Sequence, residues 1–246
     1  MGCILRIEMF GATDMGRVRK NNQDSLFFNA ELGLLIVADG IGGRKGGEVA
    51  SSLAVNGIKE AYLNCESLRH EEVEPFLIQS IDHVNKEIIT KGNGSPVEGM
   101  ATTLNCILFV GEKAFICHMG DSRTYLYFKN NLWQLTLDHN VENYVERGWL
   151  PDGTLAANPK KGALVRALGL STQCEVDIYE LKLQPGEILL TCSDGLSGMV
   201  NDKKMLRIIK EYEDRLYELP QRLIQEANEA GGQDNITVVI SHVARD

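Results

Sequence analysis

Residues Leu34–Gly43 read LLIVADGIGG and decide the fold of this chain of 246 residues. The four apolar side chains from Leu34 to Val37 are typical of a strand that is buried on both faces. The apolar run ends at Asp39, and the glycines that follow let the backbone turn its carbonyl groups toward a ligand. The stretch therefore predicts a buried strand that places a carboxylate at the edge of a sheet.

The same arrangement occurs twice more in the second half of the chain. Ile188–Gly195 reads ILLTCSDG, and Gly231–Asn235 reads GGQDN directly before the strand-like run Ile236–Ile240. Asp and Gly are ordinary turn residues, so each stretch taken alone is typical of a turn. Three aspartates at three strand ends of one chain favour a functional site instead.

Composition limits the class of protein. The net charge of −9, with 43% hydrophobic and 24% charged residues, is ordinary for a globular protein. No basic stretch offers a stripe for a phosphate backbone, and no apolar run approaches the roughly 18 residues of a membrane span. We therefore expect no nucleic-acid partner and no membrane partner. The opening MGCILRIEMF is too short and too charged for a signal peptide.

The six cysteines show no CxxC pair. Cys106, Cys117 and Cys192 lie inside apolar runs, which favours buried thiols over disulfides or a zinc site. Buried free thiols fit a reducing compartment, so we expect a cytoplasmic protein. Nothing in the sequence indicates an obligate dimer, and a monomer is expected.

Hydrophobic periodicity predicts the order of the elements. Helices are expected over residues 49–62, 70–90, 138–148, 203–212 and 220–230. Strands are expected over residues 25–29, 34–38, 101–110, 113–119, 122–128, 176–183, 187–192 and 236–243.

Three of the connections between strands are short enough to predict how the strands pair. Strands 101–110, 113–119 and 122–128 should be successive antiparallel neighbours, because a parallel pair needs a crossover of about a dozen residues. Strands 176–183 and 187–192 should form a hairpin around Pro185 and Gly186. The element order is not the alternation of a parallel sheet, and it predicts antiparallel sheets with helices outside them in one domain.

A convergence of the acidic strand ends would demand cations. Two carboxylates about 4 Å apart repel by roughly 4 kcal/mol at an effective dielectric constant near 20. Several of them together must be protonated or neutralised, and oxygen ligands favour magnesium or manganese over zinc. The candidate oxygen donors are Asp39, Asp194 and Asp234, the carbonyl of Gly40, and Asp24 and Asp121 nearby.

Paired dications predict a reaction class. Two divalent ions held about 3.5–4 Å apart are the usual apparatus of phosphoester chemistry, in which a bridging water loses its proton and attacks phosphorus in line. Arg19 is the candidate for gripping the phosphate oxygens, because a guanidinium offers a fork of donors that a lysine lacks.

Seven stretches of the sequence resemble the motifs of a known family, in the family's order and at similar separations. They are GRVRKNNQD, IVADGIGG, GMATTL, MGDSR, LVRALG, CSDGL and GGQDNITVV. The chain resembles the metal-dependent protein phosphatases, the type 2C serine/threonine phosphatases, and in particular their compact bacterial branch. Each stretch is weak alone, but together they cover the chain from about Gly11 to its C-terminal strand.

The resemblance implies a role for each candidate residue. Asp39 is similar to the carboxylate that bridges both metal ions, and the Gly40 carbonyl to a ligand of the second ion. Asp194 and Asp234 are similar to the remaining ligands of the first ion. Asp24 is similar to a carboxylate that orients metal-bound water, and Arg19 to an arginine that grips the phosphate. Asp121 is similar to a residue that, together with Asp194, binds a weaker third ion.

The resemblance also implies a fold and partners. The family fold is an α+β, four-layer αββα sandwich, with two stacked antiparallel sheets flanked by helix pairs. Residues 1–246 would form one phosphatase domain with a flap insertion at about 142–164. The implied cofactors are two Mn²⁺ or Mg²⁺ ions with room for a third. The implied partners are phosphorylated proteins, namely substrates of a serine/threonine kinase and the kinase itself.

Two positions depart from parts of the family. Animal members carry a histidine after the Asp-Gly pair as a candidate general acid, and this chain has Ile41, as bacterial members also lack the histidine. Protonation of the leaving group must then come from metal-bound water or proceed without an acid. Gln23 stands where many members have Glu, and we expect this to weaken the second metal ion modestly.

Two other classes of function remain open from the sequence. An inactive relative that serves as a binding module would lack one or more metal ligands, and none is missing here. A phosphodiesterase or nuclease would use the same metals, but the acidic balance and the absence of a basic groove count against it.

Overall fold

The computed structural model describes residues 5–41, 46–65, 67–151, 154 and 162–244. Gly42 and Gly43, and part of the flap expected at 142–164, lie outside these ranges. The strands are β1 Arg6–Asp14, β2 Asp24–Asn29, β3 Leu34–Asp39, β4 Leu104–Val110, β5 Lys113–Met119, β6 Arg123–Phe128, β7 Asn131–Gln134, β8 Asp177–Lys182, β9 Ile188–Cys192 and β10 Ile236–Ala244. The helices are α1 Gly47–Leu63, α2 His70–Gly92, α3 Val141–Glu146, α4 Asp194–Ser197, α5 Asp202–Glu211 and α6 Leu219–Glu229.

The strands form two five-stranded antiparallel sheets. The first sheet has the order β1-β10-β9-β6-β7, and the second has the order β2-β3-β4-β5-β8. Apolar side chains of both sheets, among them Met9, Leu35, Ile116 and Val239, form one buried cluster between the layers. The two sheets are therefore stacked face to face, as the α+β sandwich predicts.

Strand β3 is buried on both faces, as its sequence predicts. Leu35 and Val37 belong to the cluster between the sheets. Leu34, Ile36 and Ala38 belong to a second cluster, on the outer face of the same sheet. Because successive side chains of a strand point to opposite faces, an uninterrupted apolar run satisfies both layers at once.

A helix pair covers the outer face of each sheet, which confirms the αββα architecture. Apolar residues of α1 and α2, such as Ile58 and Ile81, pack with the second sheet. Residues of α5 and α6, such as Ile209 and Leu223, pack with the first sheet. Among the described residues, no helix is both long and apolar enough to cross a membrane.

The predicted pairing of the strands around the Gly120–Arg123 turn was wrong. Strand β5 is already hydrogen bonded to β4 on one edge and to β8 on the other. Strand β6 therefore has no free edge to join in the second sheet, and it pairs with β7 and β9 in the first. The Gly120–Arg123 turn thus carries the chain from one sheet to the other.

The hairpin predicted around Pro185 and Gly186 was wrong for a similar reason. Strand β8 pairs with β5 in the second sheet, whereas β9 lies between β10 and β6 in the first. A short connection can join two strands that lie in different stacked sheets as well as two strands of one hairpin. The amide of Gly186 donates to the carbonyl of Val243 at 2.7 Å, which fixes this step against β10.

Sequence periodicity missed two strands and the short helix α4, and it placed the starts of β4 and α3 three residues too early. Strand β1 pairs with β10 along its whole length, but Arg6 and Glu8 interrupt its apolar pattern. Strand β7 pairs with β6 across Lys129 and Asn130, which both have positive φ, as a two-residue hairpin turn of type I′ requires. Helix α3 begins at Val141 rather than at 138, because the Asn140 side chain accepts from the Asn143 amide and caps it.

Candidate active site

Two candidate carboxylates face each other at the end of the second sheet. Asp24 begins β2 and Asp39 ends β3, and the two residues are direct partners in the antiparallel register. Directly opposite side chains of such a pair are neighbours, with Cβ atoms about 4.5–5.5 Å apart. The hydroxyl of Ser193 donates to Oδ2 of Asp24 at 2.8 Å. This bond ties the second sheet to the connection after β9 in the first.

The remaining carboxylates come from the first sheet and from the step between the sheets. Asp194 is the first residue of α4, directly after β9, and Asp234 lies just before β10. Asp121 lies in the Gly120–Arg123 turn that links β5 to β6. The candidate site therefore lies at the seam between the two sheets, and both layers supply its side chains.

The pKa shifts show that the five carboxyls share one electrostatic environment. The pKa of Asp39 is raised well above its ordinary value by burial and then by the neighbouring charges. Those charges belong to Asp24, Asp194, Asp121 and Asp234. Burial also raises the pKa of Asp24 to about 6 and that of Asp121 to about 7.

Asp194 has a raised pKa as well, through burial and the charge of Asp234. Each of these shifts means that bringing the ionised carboxylates together costs free energy. The structure therefore brings together all five aspartates that the sequence singled out, in a state that protons or cations must neutralise.

The donor set fits a hard dication. Oδ1 of Asp24 and Oδ1 of Asp194 are buried, and neither has a hydrogen-bond partner in the described part of the chain. A protonated Asp39 would supply one hydrogen-bond donor, to either Asp24 or Asp194, whereas an ionised one would supply none. Unpaired buried carboxylate oxygens are the ligands that magnesium and manganese prefer.

The carboxyl groups are near one another, but their oxygens do not surround a common point where an ion could be bound. Within the described ranges, no group of three or more His, Cys, Asp or Glu side chains already has the arrangement of a metal site. The terminal torsion of an aspartate is broad, so a rotation of the carboxyl groups can bring the oxygens together. Binding of an ion would thus select side-chain rotations at a site that the backbone already places.

Arg19 contacts the acidic cluster. Its Nη2 lies 2.5 Å from Oδ2 of Asp234, and the two side chains are 36% and 33% exposed. An ion pair this exposed contributes at most about 1 kcal/mol, so the guanidinium can exchange partners at little cost. The structure therefore places Arg19 at the mouth of the site, with one nitrogen of its guanidinium bound to the Asp234 carboxylate.

Gly40 occupies a position that admits only glycine. A Cβ atom there would lie 2.3 Å from the carbonyl oxygen of Gly47 and 2.7 Å from that of Gln23. The Gln23 side chain donates to Oε2 of Glu48 at 2.8 Å. The amide of Ile41 donates to the carbonyl of Ala101 at 3.0 Å. The strand end, the start of α1 and residue 101 thus pack closely around the Asp39 turn.

Thr103 is a site residue that the sequence reasoning missed. Its hydroxyl accepts from the amide of Asp39 at 2.9 Å and pairs with the hydroxyl of Ser122 at 2.7 Å. Its amide donates to the carbonyl of Asp39 at 2.9 Å. Thr103 therefore holds the Asp39 turn and the Asp121 turn together. Thr103 lies in the stretch GMATTL and Ser122 in the stretch MGDSR, both of which the sequence analysis singled out. Neither stretch indicates that a hydrogen bond between the two hydroxyls joins them.

Asn235 is a second missed residue, and it fastens the loop that carries Arg19. Its Oδ1 accepts from the amide of Gln23 at 2.8 Å. Its Nδ2 donates to the carbonyls of Met15 and Asn21, both at 2.9 Å. The buried side-chain amide of Asn235, the residue directly before β10, therefore fixes the position of the loop that precedes β2.

We expect Asn235→Ala to destabilise the protein by roughly 2–4 kcal/mol, because the three hydrogen bonds of a buried side chain are lost. Thermal unfolding should show a fall in Tm of roughly 4–12 °C. KM for a phosphopeptide should also rise, since the Arg19 loop loses its anchor. Asn56→Ala, which removes an exposed amide on α1, is the matched control and should change Tm by about 1 °C or less. Equal Tm values for the two variants would contradict the assigned role of Asn235.

Two stacked antiparallel sheets thus hold an acidic cluster and an arginine at their seam, and comparison with known proteins supplies the class of protein. The chain belongs to the protein phosphatase 2C family, whose family model matches residues 16–227. It is accordingly an enzyme, a serine/threonine phosphatase, and thus a hydrolase. The family resemblance that the seven sequence stretches indicate is confirmed.

Bacterial relatives are similar over nearly the whole chain. The serine/threonine phosphatase stp of Listeria monocytogenes is 38% identical over 234 residues, which are 93% of this chain and 92% of that protein. The solved serine/threonine phosphatase of S. agalactiae has a TM-score of 0.87 at 32% identity, covering 96% of this chain and 99% of that one. The catalytic domain of the phosphatase PstP, solved with two manganese ions, has a TM-score of 0.83 at 32% identity, covering 98% and 100%.

Proposed function

We propose that this chain hydrolyses phosphoserine and phosphothreonine in proteins by a two-metal mechanism that uses Mn²⁺ or Mg²⁺. The observation that carries the proposal is the cluster of aspartates at the seam of the sheets, in which burial and the charges of the other four raise the pKa of Asp39. A cluster of this charge is stable only with cations or protons, and it consists of oxygen donors. The two manganese ions in the PstP structure support the same mechanism.

Each residue has a proposed role toward the ions. Asp39 would bridge them, the carbonyl of Gly40 would complete the second, and Asp194 and Asp234 would complete the first. Asp121 would hold a weaker third ion together with Asp194. When bound, such ions supply an activated water and neutralise charge on the phosphoryl oxygens.

The other groups of the chain bind and orient. Arg19 would leave Asp234 and grip two phosphoryl oxygens, since its planar fork matches the spacing of those oxygens. Asp24 is fixed by the hydroxyl of Ser193. It would orient metal-bound water without being a direct ligand of an ion. Ile41 offers no acidic proton, so the side chain after the Asp-Gly pair does not protonate the leaving serine or threonine.

The proposal extends to organisation and partners. Residues 1–246 would act as one domain, with the flap at about 142–164 controlling access. The substrates would be proteins phosphorylated by a serine/threonine kinase, and the kinase itself. Of the described cysteines, Cys106, Cys117 and Cys192 are free and buried, which supports a reducing, cytoplasmic setting. A monomer would suffice, because one chain supplies every proposed ligand.

The test is hydrolysis of a phosphothreonine peptide with added Mn²⁺ or Mg²⁺. We expect turnover of roughly 1–10³ per second with metal, and none in the presence of EDTA. A phosphotyrosine peptide and a single-stranded oligonucleotide are the control substrates. Absence of phosphothreonine turnover with either metal would overturn the proposal, and so would faster cleavage of the oligonucleotide.

A further inference from the structure

Gly120, the residue before Asp121, has a backbone conformation that needs external support. Its φ is +111°, and a Cβ atom there would lie 2.6 Å from the Thr103 side chain. A left-handed glycine in a tight turn has several accessible conformations of similar energy. Something other than its own preference must therefore fix the direction in which the next side chain, that of Asp121, points.

His139 supplies this support through two reciprocal hydrogen bonds. Its backbone amide donates to the carbonyl of Gly120 at 2.7 Å. The amide of Gly120 donates in return to Nδ1 of the His139 ring at 3.2 Å. The His139 side chain is only 1% exposed, so water does not compete for these bonds. One residue thus binds both the amide and the carbonyl of Gly120.

The far side of the ring fixes its tautomer. Because Nδ1 accepts a hydrogen bond, the neutral ring carries its proton on Nε2, which lies 3.0 Å from Oδ2 of Asp177. Asp177 is itself held, by Arg166 at 2.9 Å and by the Tyr179 hydroxyl at 3.2 Å. The carboxylate therefore orients the imidazole so that its acceptor nitrogen faces the turn.

Neighbouring rings fix the plane of the imidazole. His118 packs against it with ring centres 4.6 Å apart. On another side it meets Tyr144 of α3 edge-on at 6.1 Å, and Tyr144 meets Trp149 at 5.0 Å. Trp149 is 56% exposed. A continuous row of rings thus leads from the surface at the start of the flap segment to the base of the Asp121 turn.

We propose that His139 is a positioning residue for the third metal ion: through its unprotonated Nδ1 it holds Gly120 so that the Asp121 carboxylate points at Asp194. The proposal rests on the proposed function, and it assigns the third site a dedicated support that the first two sites do not share. Loss of a group that orients a metal ligand typically lowers metal affinity by about 10–100-fold. The effect should be confined to the ion that Asp121 binds.

Two substitutions separate the two ring nitrogens. The amide oxygen in His139→Asn lies close to the position of Nδ1, so it can still accept from Gly120, but it cannot reach Asp177. The amide nitrogen in His139→Gln lies close to the position of Nε2, so it can still donate to Asp177, but no acceptor faces Gly120. Both variants replace the ring by an amide, so they share the loss of ring packing.

Calorimetric titration with Mn²⁺ alone is the primary measurement. We expect His139→Gln to raise the Kd of the weakest ion about tenfold or more and to leave the two tighter ions within about threefold. His139→Asn should keep all three values close to those of the parent protein. In an Asp121→Asn background, His139→Gln should add nothing further, because the two changes act on one site.

Kinetics and NMR complete the test. In steady-state kinetics over a range of phosphothreonine peptide concentrations, His139→Gln should lower kcat more than it raises KM. In the parent protein with Mg²⁺, long-range ¹H–¹⁵N spectra should show Nδ1 of His139 without a proton and Nε2 with one. This last measurement needs no variant, so it remains decisive if the substitutions prevent folding.

Several results would overturn the inference. Equal weakening of the third ion by Asn and Gln at position 139, or equal weakening of all ions, would show a packing role only. A protonated Nδ1 in the parent protein would remove the proposed acceptor. A parent protein that binds two tight ions and no third would refute this inference alone, whereas one that binds no Mn²⁺ would refute the proposed function as well.

Discussion

Asp39→Asn is expected to lower kcat/KM for a phosphothreonine peptide by about 10³-fold or more, which corresponds to about 4 kcal/mol of transition-state stabilisation. Asp39 is the carboxylate that feels the charges of all four other aspartates, so it occupies the centre of the cluster. An amide there is nearly isosteric, but it removes one negative charge and one of two ligating oxygens. Steady-state kinetics with Mn²⁺ should show the loss mainly in kcat.

The same variant should be more stable than the parent protein when a chelator is present. The folded-state pKa of Asp39 is raised above the unfolded value of about 3.9. Above pH 4 the unfolded chain has therefore released a proton that the folded protein still binds, and the free energy of unfolding falls as the pH rises. Asn mimics the protonated acid, so Asp39→Asn should raise Tm at pH 8 by about 3 °C or more.

The sign of this effect provides its own check. The gain should shrink as the pH is lowered through the raised folded-state pKa, and it should vanish below about pH 3, where both folded and unfolded carboxyls are protonated. With Mn²⁺ present, the parent protein should instead be the more stable of the two, because only the intact cluster binds ions tightly. Asp82→Asn, on the exposed face of α2, removes the same charge from an ordinary ion pair with Lys86 and serves as the control. A parent protein that is more stable than Asp39→Asn at pH 8 in EDTA would refute the role of charge repulsion.

Arg19→Ala is expected to lower kcat/KM by about 10²-fold, since a charged, bidentate contact to phosphate contributes roughly 2–3 kcal/mol. The loss should appear largely in KM, and Arg19→Lys should recover only part of it, because an ammonium lacks the planar fork. Arg17→Ala is the matched control, since Arg17 is an exposed arginine two residues earlier in the same loop.

Metal binding separates this role from a purely structural one. Arg19 forms an ion pair with Asp234, so its removal frees a proposed ligand. Calorimetric titration should therefore show Mn²⁺ affinity for Arg19→Ala that is equal to or tighter than that of the parent protein. If the variant binds Mn²⁺ about tenfold more weakly and its activity returns at high Mn²⁺, Arg19 acts by supporting the metal site and not by binding phosphate.

The sequence was informative where structure follows from local pattern. The apolar run before Asp39 correctly predicts a strand buried on two faces, since each neighbouring side chain points into a different core. The three Asp-bearing strand ends correctly predict that acidic side chains meet, because strand ends gather at the edge of a sheet. Even so, the part that each aspartate plays toward an ion stays a prediction.

The failures concern interactions between distant segments. In the sequence, residues 119–123 look like a turn between two neighbouring strands of one sheet. Because β5 is paired with β4 on one edge and with β8 on the other, the next strand must join the other sheet. The hydroxyl of Thr103 and the amide of Asn235 are ordinary polar groups in the sequence. They become site residues because folding brings Ser122 within 2.7 Å of the first and Gln23 within 2.8 Å of the second. No periodicity in either segment encodes its partner.

The pairing of β1 with β10 has a consequence for the order in which the acidic cluster is assembled. Asp234 stands directly before β10, whose register partner β1 lies far away along the chain. Asp24 and Asp39, in contrast, are partners in the local β2–β3 pair. Because contacts between distant segments require the closure of a long loop, we expect the cluster to be completed late in folding, after Asp24 and Asp39 have met.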